Sequence, residues 1–171
     1  MTAARTVTAP LPDTASLTER VRAELELIRS SVAGVYGSLV ATSDGFLVAH
    51  DLPDLEPTEI AALVATTRAL ASRTTLAGGR GEFREALSRG SLGYLAAYAA
   101  GSSAIVAVIG TNELNVGMLQ IRTREIVQRI AASTPEFRRW TAVSAESPAG
   151  AGSWKLIALE MSAGTVPGMF E

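Results

Sequence analysis

Apolar residues recur at helical spacing in two segments, one near the start of the chain and one in its last third. In the first segment, residues 16–19 have the form of a capping box, a hydroxyl followed three residues later by a carboxylate, which predicts a helix start at Ser16. Its apolar face consists of Val21, Leu25 and Ile28. The second segment, residues 115–132, is predicted to be the last helix. Its apolar positions are Val116, Leu119, Ile126 and Ile130.

Between these two segments lie five β-type runs and one more helix. Short glycine-containing turns separate the runs, which cover residues 35–42, 46–51, 82–88, 92–99 and 104–109. The turn Ser43-Asp44-Gly45 predicts a hairpin, because glycine takes a positive φ at little cost. Residues 58–76 have helical composition and end at Gly78-Gly79. We therefore predict an α/β (α+β) fold, a five-stranded antiparallel sheet with flanking helices in a profilin-like layered architecture. Its predicted order is helix-strand-strand-helix-strand-strand-strand-helix.

The limits of this pattern predict the domain organisation. Residues 1–15 are rich in Thr, Ala and Pro without periodicity, so we expect a disordered N-terminal segment. Residues 16–133 form the predicted domain. Residues 134–171 include a linker-like stretch at 147–152, and only 154–161 has a pattern compatible with regular structure. They are a C-terminal extension whose structure the pattern leaves open.

Composition and charge exclude several classes of function. The chain has 171 residues, of which 47% are hydrophobic and 19% charged, which is typical of one globular core with a slight apolar excess that suits an interface. A net charge of −2 and few aromatic residues argue against a nucleic-acid partner. Without an apolar run near the roughly 20 residues that span a bilayer, or a signal-peptide pattern, we expect a cytoplasmic protein with no integral membrane association.

Candidate catalytic residues are few. Cysteine is absent, which removes thiolate nucleophiles and zinc-thiolate sites. The only histidine, His50, ends a predicted strand, where a surface position is the favoured interpretation. The segment Gly78-Gly79-Arg80-Gly81 lacks the Lys-Ser/Thr ending and the following helix of a phosphate-binding loop. We therefore expect no enzyme activity, no cofactor and no metal.

The central helix carries the most informative local feature. At about 100° per residue, larger apolar residues form a stripe predicted to cover the sheet, namely Ile60, Leu63, Val64, Thr67, Leu70 and Ala71. The opposite face is small, where a monomer would normally carry charges. We predict that this small face is a homodimer interface made of Ala62, Ala65, Ala69 and Ser72. The alternative is an alanine-rich helix that reflects genome bias.

Three pieces, in this order and spacing, resemble the Roadblock and dynein light-chain family. They are the hairpin at residues 34–40 and 43–48, the small-residue helix that follows, and residues 115–119 at the start of the last helix. The resemblance covers residues 17–130. It implies a five-stranded antiparallel sheet and a dimer formed through the central helix and the strand after it. Bacterial members include regulators of small Ras-like GTPases. The resemblance therefore implies a non-catalytic homodimeric adaptor that docks a Ras-like GTPase in signalling, with activation left open.

One further hypothesis concerns contacts with the partner. An arginine supplied in trans can stabilise the transition state of GTP hydrolysis. Arg80, Arg84 and Arg89 are therefore candidates for partner contacts, and a solvated charge is the simpler interpretation of each.

The alternative function is a PAS-like ligand-sensing domain, because five antiparallel strands with flanking helices can also enclose a small molecule. The small residues that line the predicted strands argue against it.

Overall fold

A computed structural model of the chain describes residues 14–133, and it confirms the predicted fold class and element order. The elements are α1 (Thr14–Ser31), β1 (Val35–Thr42), β2 (Leu47–His50), α2 (Pro57–Ala77), β3 (Glu85–Gly90), β4 (Gly93–Ala100), β5 (Ala104–Thr111) and α3 (Val116–Ala132). Residues 14 and 15 belong to α1. The remainder of the predicted disordered segment 1–15, and the predicted extension 134–171, lie outside the described residues.

The five strands form one sheet in the order β2-β1-β5-β4-β3, and all neighbouring strands are antiparallel. The last three strands make the predicted meander. The β1–β2 hairpin joins this meander through β5, where Leu39 lies opposite Ala107. Within residues 14–133, β2 and β3 are therefore the two edge strands, and β5 lies at the centre of the sheet.

Helices cover both faces of the sheet. Valines such as Val40, Val106 and Val108 pack on one face against α1 and α3. Their neighbours Leu39 and Ile105 point to the other face, which α2 covers. Because both faces of β5 are buried, its sequence is apolar almost throughout rather than alternating. None of the helices within residues 14–133 is long and apolar enough to cross a membrane.

Local capping residues set the ends of α2 and α3. The side chain of Glu56 accepts a hydrogen bond from the Thr58 amide at 3.2 Å, and Pro57 occupies the first turn of α2. α2 ends at Ala77, Gly78 is its C-cap, and Gly79 follows with a φ of 67°. The Asn115 side chain accepts from the Met118 amide at 3.0 Å and caps α3. These boundaries lie within one residue of the predicted ones.

The predicted start of the first helix was wrong by two residues. α1 begins at Thr14, so Ser16 lies inside its first turn and is not the capping residue. The capping-box pattern consists of only a hydroxyl and a carboxylate three positions apart. The same pair also fits an exposed helical turn, so the motif alone does not locate the helix end.

Candidate functional site

The face of α2 that covers the sheet differs from the predicted one. The buried residues of α2 are Ala61, Val64 and Ala65. Leu63 and Leu70, which were expected to face the sheet, are 52% and 67% exposed. Of the predicted stripe, Val64 and Ile60 do pack towards the sheet, and the prediction was wrong for the two leucines. The physical reason is that large side chains such as Leu39 and Ile105 already fill the sheet face beneath α2, so the helix approaches it through alanines and leaves its leucines outside.

The small face predicted as the dimer interface is partly used inside the protomer. A methyl group built on Gly45 would lie 3.3 Å from Cα of Ala62 and 3.6 Å from Cβ of Ala65, so the β1–β2 turn packs directly on this face. Ala65 is 7% exposed and belongs to the core under α2. Ala62 and Ser72 are half-buried, and only Ala69 is exposed. Ala65 therefore leaves almost no surface for a partner, and its small size serves the close approach of the turn.

The outer face of α2 is apolar at two positions one above the other. Leu63 and Leu70 are seven residues apart, which places them on the same side of the helix, with exposed Thr66 between them. We call this surface the leucine face. Exposed apolar side chains that form a continuous surface commonly mark a protein contact site.

The strand that follows α2 in the chain, β3, has one edge without a partner strand among residues 14–133. It pairs with β4 on one side and, among residues 14–133, has no strand on the other. Five of its six residues are exposed. An open strand edge presents free backbone N–H and C=O groups to which another strand can hydrogen-bond. β3 begins at Glu85, so its predicted start at Glu82 was wrong by three residues.

At one end of the sheet, a cavity of about 1040 Å³ opens between α2, the loop before β3, the β4–β5 turn and α3. We call it the arginine groove. Its charged lining residues are Arg68, Arg80, Arg84, Arg124, Glu82 and Glu85. Of the three predicted partner-contact residues, the structure brings Arg80 and Arg84 together here. Arg89 lies near the other end of β3, with its guanidinium carbon 5.5 Å from the centre of the Tyr94 ring.

Arg68 anchors one wall of the groove. Its Nη2 donates hydrogen bonds to the carbonyl oxygens of Gly101 and Ser102, at 3.3 and 3.0 Å, and so ties the β4–β5 turn to α2. Burial lowers the pKa of its guanidinium, although the Asp44 carboxylate opposes this shift. Its Nε is buried without a hydrogen-bond partner among the described residues. Nothing in the local sequence indicated this role, because the turn lies more than thirty residues away along the chain.

Tyr98 forms part of the floor of the groove and is 5% exposed. Burial, with a further contribution from the Glu85 carboxylate and an opposing one from Arg124, raises its pKa to about 12. Because an unfolded tyrosine ionises near pH 10, the folded state favours the neutral phenol. This contribution to stability is complete below pH 10 and is lost as the pH rises towards 12.

We therefore expect the free energy of unfolding in urea to fall between pH 10 and 12, and to fall less steeply in a Tyr98→Phe variant. Other groups that titrate in this range, such as Tyr36, contribute equally to both proteins, so the difference isolates Tyr98. Identical pH dependence in the two proteins would contradict the assignment of this shift to the Tyr98 phenol.

The only histidine lies in a structural cluster. His50 is half-buried at the end of β2, and the adjacent Asp51 accepts hydrogen bonds from the backbone amide and the hydroxyl of Ser38. Arg29 approaches the other carboxylate oxygen of Asp51 to 3.9 Å. Within residues 14–133, no three His, Asp or Glu side chains are grouped so that they could hold a metal ion. Asp51 therefore joins the end of β2 to Ser38 of β1.

The sequence and the fold of this chain are both similar to those of known proteins. The family model of the Roadblock/LC7 domain matches residues 23–110. A structure of MglB with a tetrameric arrangement superposes with a TM-score of 0.65 at 21% identity, covering 71% of this chain and 93% of that one. For the gliding protein MglB from Thermus thermophilus the TM-score is 0.63 at 21% identity, with 68% and 90% covered.

A Roadblock/LC7 domain from Streptomyces avermitilis superposes with a TM-score of 0.58 at 19% identity, covering 66% of this chain and 92% of that one. No curated protein sequence matches this chain significantly. At these identities, the structural similarity establishes a shared fold.

Proposed function

Because this chain belongs to the Roadblock/LC7 domain family, we propose that it is a non-catalytic homodimeric adaptor that docks a Ras-like small GTPase. One observation carries the proposal. The leucine face of α2 and the open edge of β3 are both unpartnered within residues 14–133, and they belong to the helix and strand through which members of this family dimerise.

The geometry of these two features suits a symmetric pair. If β3 pairs with its copy across a twofold axis, the two sheets join into one and the two α2 helices lie on the same side of it. Burial of an exposed leucine contributes about 1.5 to 3 kcal/mol. Leu63 and Leu70 from two protomers supply four such side chains, each already partly buried in the protomer, so they contribute only part of the free energy of association and the paired edges of β3 must supply the rest.

Oligomer formation in a relative supports the dimer. MglB, which shares this fold, has been solved in a tetrameric arrangement. That assembly is a property of MglB, and the interface proposed for this chain rests on its own exposed leucines and strand edge.

The local structure also supports a role without nucleotide chemistry in this chain. The glycine segment at residues 78–81 leads from α2 into β3, whereas a phosphate-binding loop leads from a strand into a helix whose N-terminus faces the phosphates. The PAS-like ligand-sensing alternative needs a ligand space between the sheet and its helices, and the packing within residues 14–133 does not favour one. There, alanines and valines of β4 and β5 pack directly against the helices on both sides of the sheet.

The proposal is tested by measuring the binding of Ras-like GTPases from the source organism, each loaded with GDP or with a non-hydrolysable GTP analogue. We expect one GTPase to bind at least tenfold more tightly in one nucleotide state, because the γ-phosphate orders the switch segments that a regulator contacts. Failure of every such GTPase to bind in either state would contradict the proposed function.

Activation is tested separately by single-turnover GTP hydrolysis with the wild-type protein and with Arg80→Ala, Arg84→Ala and Arg89→Ala. An arginine that enters the GTPase site should lower the activated rate by about a hundredfold or more when it is removed. Arg89 lies outside the groove, over Tyr94, so its variant tests the candidate that the structure separates from the two groove arginines. If all three variants retain full activation, the protein acts by repositioning residues of the GTPase.

A further inference from the structure

The arginine groove is positively charged on a chain whose net charge is negative. Four arginines and two glutamates line it, whereas the whole chain carries a net charge of −2. These arginines come from α2, from the loop before β3 and from α3, so that segments far apart in sequence converge on one site. Such convergence concentrates a local field that attracts anions.

Three of the four arginines have no ionic partner among residues 14–133. Within residues 14–133, the guanidinium groups of Arg80, Arg84 and Arg124 form no hydrogen bond or ion pair. Arg129 on the same helix as Arg124 provides the contrast, because it binds both carboxylate oxygens of Glu24 at 2.8 to 3.0 Å. The groove therefore keeps an excess of positive charge over its two glutamates, and an anion that bound these three arginines would form charge-assisted hydrogen bonds with them.

The size and lining of the groove indicate the class of anion. A volume of about 1040 Å³ exceeds what a single phosphate or carboxylate fills, and it lies at the upper end of the range for ligand sites. The aromatic side chains of the wall, Phe83 and Tyr98, are almost fully buried and leave little ring surface on which a nucleotide base could stack. Leu76, in contrast, is 61% exposed at the rim and offers an apolar contact beside the charges.

From these observations we propose that the arginine groove binds an acidic peptide segment of a partner protein. Its Asp or Glu side chains pair with Arg80, Arg84 and Arg124, and an apolar side chain packs on Leu76. The seryl hydroxyls of Ser72 and Ser102 lie in the same lining and can bond to the peptide backbone. This site is separate from the leucine face, and the proposal requires neither a dimer nor a GTPase.

The experiment measures fluorescence anisotropy of a fluorescein-labelled heptapeptide, six Glu around a central Leu, titrated with the full-length protein at low salt. We expect a Kd in the range of tens of micromolar that weakens steeply as salt is added, because the attraction is between exposed charges. A peptide with Gln in place of each Glu should bind at least tenfold more weakly. A Kd above about 1 mM for the acidic peptide would overturn the proposal.

A charge-reversed variant tests the location of the site. Arg84→Glu combined with Arg124→Glu should weaken binding of the acidic peptide at least tenfold and should create binding of a heptapeptide with Lys in place of Glu. The matched control is Arg73→Glu combined with Arg122→Glu, the same change of charge at exposed positions that do not line the groove. We expect the control to change the Kd less than twofold.

Two outcomes would contradict the assignment. Equal weakening by both double variants would show that the peptide senses only the overall charge. Displacement of the peptide by an equimolar amount of inorganic phosphate would show that the ligand is a small anion. Circular dichroism verifies folding of each variant, and if the charge-reversed protein is unfolded, the neutral pair Arg84→Gln and Arg124→Gln is measured instead, with the same expected loss. Failure of GTPase binding would leave this result unaffected.

Discussion

Replacing Leu63 and Leu70 together by Glu is expected to convert a dimer into a monomer of 17.8 kDa. Both side chains are more than half exposed in the protomer, so the substitution leaves its core intact. In a symmetric interface each substitution occurs twice. The variant therefore loses the burial of four leucines and must desolvate four like charges instead. We expect the dissociation constant to rise at least a hundredfold, as measured by light scattering or sedimentation across a concentration series.

The control for this prediction is Ile121→Glu on α3. Ile121 is 67% exposed, the same fraction as Leu70, but it lies on the opposite side of the sheet from the leucine face. We expect this variant to remain dimeric. A wild-type protein that is monomeric at tens of micromolar, or a double leucine variant that keeps the dimer mass, would refute the interface. Ala65→Glu is not a usable test, because it places a charge in the protomer core.

Gly93→Ala is expected to destabilise the domain by about 3 kcal/mol or more. Gly93 opens β4 with a φ of 151°, a conformation that side chains rarely adopt. A Cβ at this position would overlap the carbonyl oxygen of Gly110 on the neighbouring strand. Since the colliding atom belongs to the backbone of the central strand, relief requires the β4–β5 ladder to separate. Urea unfolding followed by circular dichroism measures the loss.

Gly81→Ala separates the two causes of this effect. Gly81 also has a positive φ, 81°, but no atom lies within 4 Å of the position that a Cβ would take. Only the conformational cost applies there, about 1 to 2 kcal/mol. Equal losses of stability in the two variants would show that the close approach of Gly93 to Gly110 contributes nothing.

The three surfaces of α2 serve three different contacts. Val64 and its alanine neighbours face the sheet, Leu63 and Leu70 form the leucine face, and Arg68 reaches the β4–β5 turn at the arginine groove. A single helix therefore connects the proposed dimer interface with the proposed peptide site. The rigid packing of α2 on the sheet holds these two surfaces in a fixed relation, so that each protomer of a dimer would present its groove in a defined orientation.

Sequence alone was sufficient for the order and type of the elements. The first strand was predicted at residues 35–42, where β1 lies, and the turn at Gly45 has the expected positive φ of 88°. Asn115 was placed at the start of the last helix, where it is the capping residue. Turns, caps and the two hydrophobic periods are determined by residues within a few positions of one another, so the chain carries this information locally.

The orientation of α2 and the arginine groove were decided by tertiary structure. The helix turns its alanines inward because large side chains of the sheet, such as Leu39 and Ile105, fill the space beneath it and because the turn at Gly45 packs on Ala65. Predicting the buried face of a helix from its larger apolar residues takes no account of the residues that pack against it in the folded chain. Arg68, Arg84 and Arg124 each resemble an ordinary solvated arginine in sequence. Only the meeting of α2, β3 and α3 at one end of the sheet brings their charges together, since long-range packing fixes which distant residues share a surface.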